Sequence, residues 1–255
     1  YVLTIRKHYM TKISIESLFL KYPTSMISDA LDEIDINGAI SGVFPQRYDQ
    51  GRISGRALPV KFNKKSSDPE AWRFGGGVGK PLEQVLKTMS AGKIIVMDLD
   101  GTINATAWGG LASKLAQKKG VLGTIMHGTC RDVEEIRECG YPVWAKGVCP
   151  RRSRNDFTFG TINEPIIVTG ITIKKDDIIV ADQSGVVCVP EEMIQQTLDL
   201  LKKISSNLNE ISFIKGSIME RFFLTDEIAK SSSNDIFFVN SAISVNIIAA
   251  SFLVC

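Results

Sequence analysis

WGGLASKLAQKKGVLGTIMHGTCRDVEEIRECGYPVWAKG, residues 108–147, is the stretch on which the fold reading turns. Within it, Leu111, Leu115, Ala112 and Ala116 fall on one face of a helix expected from Trp108 to Lys119. Val121 to Met126 follows it as a strand. A polar run from Val133 to Cys139 then predicts a short helix, and Pro142 to Lys146 another strand. Strand and helix alternate at the spacing that builds a sheet with covering helices.

The alternation begins upstream with a buried strand at Lys93 to Asp98. Before it, Ile13 to Tyr22 and Thr24 to Ile34 read as helices, the second carrying Ile27, Leu31 and Ile34 on one face. Arg52 to Phe62 is strand-like, and its Pro59 hints at an edge or a bulge. Lys64 to Gly79 reads as a polar, glycine-rich loop and Pro81 to Met89 as a helix. Downstream, strands are expected at Pro165 to Ile173, Asp177 to Ala181 and Gly185 to Val189, then helices at Glu191 to Ile204 and Leu208 to Glu220. The fold class is α/β with mixed sheets, opened and closed by helices. One domain is expected over residues 1–230, with a separate tail over 231–255.

Composition narrows the function classes. With 44% hydrophobic and 23% charged residues, the chain can bury a sizeable core. A net charge of +2 gives no field that would attract nucleic acid. Five cysteines without a C-x-x-C pair, and no signal-peptide pattern, fit reduced thiols in the cytoplasm. Residues 236–255 carry no charge, but Asn240, Ser241, Ser244, Asn246 and Ser251 interrupt them and no basic flank follows, so no membrane anchor is expected.

Two motifs invite stronger claims than they support. Asp98-Leu99-Asp100-Gly101-Thr102 after an apolar strand is how phosphatases of the haloacid dehalogenase type present a nucleophilic aspartate. Such an enzyme also needs a paired-acid motif at a strand end, whereas Asp176-Asp177 lead into a strand; DLDGT therefore reads as a strand end. Gly75 to Lys80 (GGGVGK) is similar to a phosphate-binding loop, but Pro81 stands where Ser or Thr is required.

The chemistry-bearing residues lie in the opening stretch. Gly109 and Gly110 stand at a helix start, where backbone amides approach a ligand closely and favour an anion. Arg131 and Asp132 follow the next strand, so adjacent strand ends bring them beside that helix start. A guanidinium grips a carboxylate bidentately, and a carboxylate holds a hard divalent cation. Together these groups suit a small α-keto acid. Singly, the glycines also read as an ordinary turn, and Arg131-Asp132 with Glu135 as an exposed ion pair and capping aspartate.

Gly110, twenty intervening residues, Arg131-Asp132, two residues and Glu135 resemble the G-x20-R-D-x2-E/D signature of the RraA-like family. Ser25 to Leu31, Arg52 to Val60, Pro142 to Pro150 and Asp176 to Pro190 are similar to other segments of that family. The resemblance thus covers roughly Ser25 to Glu220. It implies a swivelling β/β/α domain and one of several activities. These are 4-hydroxy-4-methyl-2-oxoglutarate aldolase, oxaloacetate decarboxylase, and non-catalytic regulation of ribonuclease E by protein binding.

The resemblance also implies roles. Asp132 is the direct ligand of a divalent metal, usually Mg²⁺ with Mn²⁺ as an alternative. Arg131 binds the keto and carboxylate oxygens of the substrate, with backbone amides around Gly109, Gly110 and Leu111. Glu210 matches an acid donated across a subunit interface, so a homotrimer or a hexamer is expected. Two departures stand out: Gly110 replaces an acid found after the turn glycine in some family aldolases, and His127 replaces an aspartate. Asp132, absent from the non-catalytic regulators, favours an enzyme.

Overall fold

The run KIIVMD forms strand β4 (Lys93–Asp98), five of whose six residues are buried. Its neighbours to either side are parallel, so both faces must be covered, which is why the strand reads as continuously apolar. The computed structural model describes residues 14–64, 79–153 and 156–207. In chain order, the elements before β4 are α1 (Ile15–Phe19), α2 (Thr24–Asp32), β1 (Ala39–Ile40), β2 (Phe44–Pro45), β3 (Ile53–Lys64) and α3 (Gly79–Thr88). After it come β5 (Thr106–Trp108), α4 (Gly110–Lys118), β6 (Gly123–Cys130), α5 (Val133–Cys139) and β7 (Val143–Val148). The remaining strands are β8 (Phe157–Ile162), β9 (Ile166–Val168), β10 (Ile171–Ile173), β11 (Ile178–Asp182) and β12 (Gly185–Val189).

One mixed sheet runs β1-β12-β11-β3-β4-β6-β7-β2, with β5 added beside β6 and β8 beside β3. Its centre, β3-β4-β6-β7, is parallel; β11, β12, β1 and β2 pair antiparallel at the flanks. Alternation along β4 divides the core in two. Ile95 and Met97 face the helices, packing with Val85, Ala112, Ala116 and Ile136. Ile94 and Val96 face the β9–β10 hairpin, packing with Ile166, Val168, Ile171 and Ile173. The result is three layers, helix on sheet on hairpin, as the β/β/α expectation requires.

Several expected boundaries move for local reasons. The helix expected from Trp108 begins at Gly110, because Thr106 to Trp108 pair with β6 as a strand. Its Leu111 and Leu115 do not join the core: Leu111 is 73% exposed, while Ala112 and Ala116 are buried. The strand expected over Pro165 to Ile173 is a hairpin turning at Thr169-Gly170, both at positive φ. Pro59 is at neither edge of the sheet but directly precedes a register shift of β3 against β8, between Val60 and Phe62. β11 pairs with Ile53 to Arg56 and β8 with Val60 to Lys64, so the residue without an N–H stands where the partner changes. Strand β8 was not anticipated.

The chain divides into two compact units, Tyr1–Lys202 and Lys203–Cys255, and the sheet lies in the first. The segment expected as a helix from Glu191 opens with a 3-10 turn, Glu191–Met193, and is helical from residue 194. Glu210, the helix expected at Leu208 to Glu220, the boundary at residue 230, the tail and Phe74 to Gly77 lie outside the described residues. Among the described residues no helix is long and apolar enough to cross a membrane.

Candidate active site

Parallel β4 and β6 leave their carboxyl ends together, and β5 runs alongside β6 to deliver the chain to α4. Gly109 is the residue before α4, and its backbone is extended. The Arg131 amide donates to the Trp108 carbonyl at 3.1 Å, which seats the end of β6 against the start of α4. The Trp108 indole donates to Ser113 Oγ at 2.9 Å, and Ser113 Oγ donates to the Gly109 carbonyl at 3.1 Å. This turn is thus held by hydrogen bonds from strand to helix.

Asp132 precedes α5 in the left-handed region, φ 53° and ψ 43°. A non-glycine residue there costs about 1–2 kcal/mol. It also makes no side-chain cap to its own helix, forgoing a contribution of about 1 kcal/mol. Its carboxylate is instead turned toward α4: Oδ2 accepts from the Gly110 amide at 3.2 Å and from Arg131 Nε at 3.2 Å. The ordinary capping reading of Asp132 is therefore wrong, whereas the ion pair is present.

The spacing of the signature has a steric meaning. A Cβ on Gly110 would lie 2.5 Å from Glu135 Oε2 and 2.7 Å from Glu135 Cβ. A Cβ on Gly109 would collide with Asp132 Oδ2. The two glycines let the starts of α4 and α5 approach until the acids lie against backbone. Glu135 is further paired with Lys114 at 2.9 Å, about half exposed, a contact that adds little stability.

Beside these groups is a pocket of about 250 Å³. Trp108, Gly109, Arg131 and Asp132 form its polar end, and Leu86, Leu111, Ala112 and Leu115 supply an apolar wall. Gly109, Leu111, Arg131 and Asp132 are thereby brought together as expected. Gly110 lies beside them, but its amide is engaged by Asp132 rather than free for a ligand. Arg152 also lines the pocket and was not anticipated. The only hint was the Arg151-Arg152 pair after Pro150.

Among the described residues no group of three or more His, Cys, Asp or Glu side chains converges as an all-protein metal cage. Asp132 presents one carboxylate whose Oδ1 carries no hydrogen bond among the described residues. That donor set fits Mg²⁺, which keeps several waters and takes one or two carboxylates plus substrate oxygens.

Asp98 belongs to a different arrangement. Lys61, Asp98 and His127 are Cα partners on β3, β4 and β6, a row across the sheet. The Asp98 side chain is 2% exposed; it pairs with Lys61 and lies 2.8 Å from His127 Nδ1 and from the Asp100 amide. Burial alone would raise its pKa; the hydrogen bonds from His127, Lys61 and the Asp100 amide outweigh burial and hold it below the ordinary value. A carboxylate so enclosed is not presented for attack on phosphate, so DLDGT is a strand end. His127 lies at the register level of Asp98 and does not line the pocket.

The family model described as RraA-like, aldolase/RraA, matches residues 24–188. Protein DlpA of Legionella pneumophila is 31% identical over 200 residues, covering 76% of this chain but only 31% of DlpA. The chain thus spans less than a third of that relative. A 4-hydroxy-4-methyl-2-oxoglutarate aldolase of Thermus thermophilus is 31% identical over 145 residues, 54% of this chain and 86% of that protein. Among solved structures, Streptomyces coelicolor RraAS2, titled an unusual member of the RNase ES inhibitor RraA protein family, superimposes with a TM-score of 0.66. It is 22% identical, covering 80% of this chain and 96% of that one. On its sequence and on the sheet, hairpin and helices that carry the signature, this chain belongs to the RraA-like family.

Proposed function

We propose that the chain is a divalent-metal-dependent carbon–carbon lyase that releases pyruvate from 4-hydroxy-2-oxo acids of the 4-hydroxy-4-methyl-2-oxoglutarate type, or from oxaloacetate. The observation that carries this reading is Asp132. Its left-handed backbone and uncapped helix turn its carboxylate to Arg131 at the mouth of a pocket. Backbone strain of this kind, kept at a pocket, is the pattern of a functional position.

In this reading Arg131 holds the 2-oxo acid end. Its Nε is occupied by Asp132, so the terminal N–H groups are the ones turned to substrate oxygens. Cleavage of C3–C4 leaves the bonding pair on C3 as pyruvate enolate, while C4 departs as a carbonyl or as CO₂. The Arg131 guanidinium stabilises the oxyanion as its charge grows. The bound divalent ion, held by Asp132, supplies Lewis-acid polarisation of the keto group. The hydroxyl proton of a 4-hydroxy substrate goes to a base, for which Glu210 is the candidate by resemblance. Leu86, Leu111 and Leu115 give the pocket an apolar wall beside the reacting groups. A homotrimer or hexamer completes the site in this account, because Glu210 is the acid assigned to a neighbouring subunit.

A second reading, a regulator that binds another protein, is favoured by one observation. Leu111 is 73% exposed and Leu115 36% exposed on one turn of α4, an apolar surface beside the pocket. Pyruvate release from oxaloacetate and from 4-hydroxy-4-methyl-2-oxoglutarate separates the two. The lyase reading expects release with Mg²⁺, loss after chelation and recovery on adding the metal back. A folded protein that releases no pyruvate from either substrate with Mg²⁺ or Mn²⁺ supports the regulator.

A further inference from the structure

Strand β5 has a neighbour on each side. On one side Thr106 pairs with Thr129 of β6, whose chain continues to Arg131. On the other, Thr106 forms a parallel bridge with Arg152. The bridge is firm: the Thr106 amide donates to the Arg151 carbonyl at 3.0 Å, and the Ser153 amide and hydroxyl donate to the Thr106 carbonyl at 3.0 and 2.9 Å. Ser153 is fully buried. The position of Arg152 is therefore set by sheet geometry. Two inter-strand spacings separate its backbone from the Arg131 side, about 10 Å.

The three arginines differ in their partners. Arg131 is tied to Asp132, and Arg151 is tied to Asp156 at 2.9 Å and points its contacts away from the pocket lining. Arg152 has no ion pair or side-chain hydrogen bond among the described residues, yet it lines the pocket. The pocket thus holds two guanidinium groups and one carboxylate, with an apolar wall beside them. A ligand with one carboxylate would satisfy Arg131 and leave Arg152 unmatched.

We propose that Arg152 is a second anion-binding residue of this pocket. It takes the distal carboxylate of a 2-oxo dicarboxylic acid whose 2-oxo end is held by Arg131. The inference rests on the assignment of the 2-oxo end to Arg131. It has a chemical consequence. In cleavage of a 4-hydroxy-2-oxo diacid the distal carboxylate keeps its charge from substrate to product, so Arg152 binds ground state and transition state alike. In decarboxylation of oxaloacetate the distal carboxylate is the group lost: the C3–C4 pair passes to C3 and C4 leaves as uncharged CO₂. There Arg152 holds the ground state more tightly than the transition state. Arg152 therefore biases the site toward aldol cleavage and away from decarboxylation.

Calorimetric binding of pyruvate and of 2-oxoglutarate to the full chain with Mg²⁺ tests this without turnover. 2-Oxoglutarate is expected to bind the parent more tightly than pyruvate. Arg152→Ala is expected to weaken 2-oxoglutarate by about 10- to 100-fold, the loss of a charge-assisted hydrogen-bonded pair, and pyruvate by less than about threefold. Arg152→Lys, which keeps the charge but not the fork, falls between. Equal weakening of both ligands, or of neither, overturns the role of Arg152. Pyruvate binding that survives in Arg131→Ala overturns the assignment of the 2-oxo end instead, so the two failures are distinguishable.

Discussion

The Gly110 amide donates to Asp132 Oδ2 at 3.2 Å, a contact made across 22 residues of chain. The same glycine is pressed against Glu135, so the first and last positions of the signature touch. Gly110→Ala places a methyl group where Glu135 stands and is expected to cost about 1–3 kcal/mol. Alanine at 135 would keep the Cβ that lies 2.7 Å away, so only Glu135→Gly clears the space, and the loss caused by Gly110→Ala is expected to be smaller in the Glu135→Gly background than in the parent. Thermal melts of the four proteins check this; strictly additive losses would show that the two residues do not couple.

Asp98 is a structural residue in this account. Asp98→Asn leaves Lys61 without its buried counter-charge and is expected to cost about 3 kcal/mol at neutral pH. The native pKa lies below the ordinary 3.8. The carboxylate's contribution is therefore complete above that value and is lost as pH falls through the lower native one. Denaturant titrations at pH 7 and below pH 4 should show the gap between parent and variant closing in acid. A gap that widens in acid contradicts the arrangement.

Arg131 is expected to act through its fork as well as its charge. Arg131→Lys keeps a cation but gives up the paired N–H groups and the Nε contact to Asp132. Pyruvate release is expected to fall by about 100-fold, the usual cost of one donor to a developing oxyanion. A variant within twofold of the parent would place the substrate elsewhere.

If Glu210 comes from a neighbouring subunit, inactive Asp132→Ala and inactive Glu210→Ala proteins should restore activity when mixed under exchange conditions. Some interfaces would then hold both intact residues. A monodisperse monomer that is fully active at assay concentration sinks the shared-site arrangement.

Much of this was legible in the sequence because it rests on short-range patterns. The Lys93–Asp98 strand and the Val133–Cys139 helix fall within their expected bounds, since an apolar run marks the first and Gly140, in the left-handed region, ends the second. Gly109, Arg131 and Asp132 come together because consecutive parallel strands end on one side of a sheet. What was hidden depends on pairing at a distance. Trp108 looks helical until β6 makes Thr106 to Trp108 a strand, and Leu111 looks like core until α4 settles on its alanines. Arg152 reaches the pocket through a single bridge to Thr106, 46 positions earlier, which no local spacing announces. The left-handed turn at Asp132 is likewise invisible in the letters RDVEE, which read as a simple cap.

The most direct test compares pyruvate release by the parent and by Asp132→Ala, each with saturating Mg²⁺. Removing a partly exposed side chain is expected to change stability by only about 1 kcal/mol. A folded variant is expected whose turnover falls by at least about 100-fold and is not recovered by more metal. A folded Asp132→Ala protein that releases pyruvate at the parent rate would contradict the assignment of the metal to Asp132.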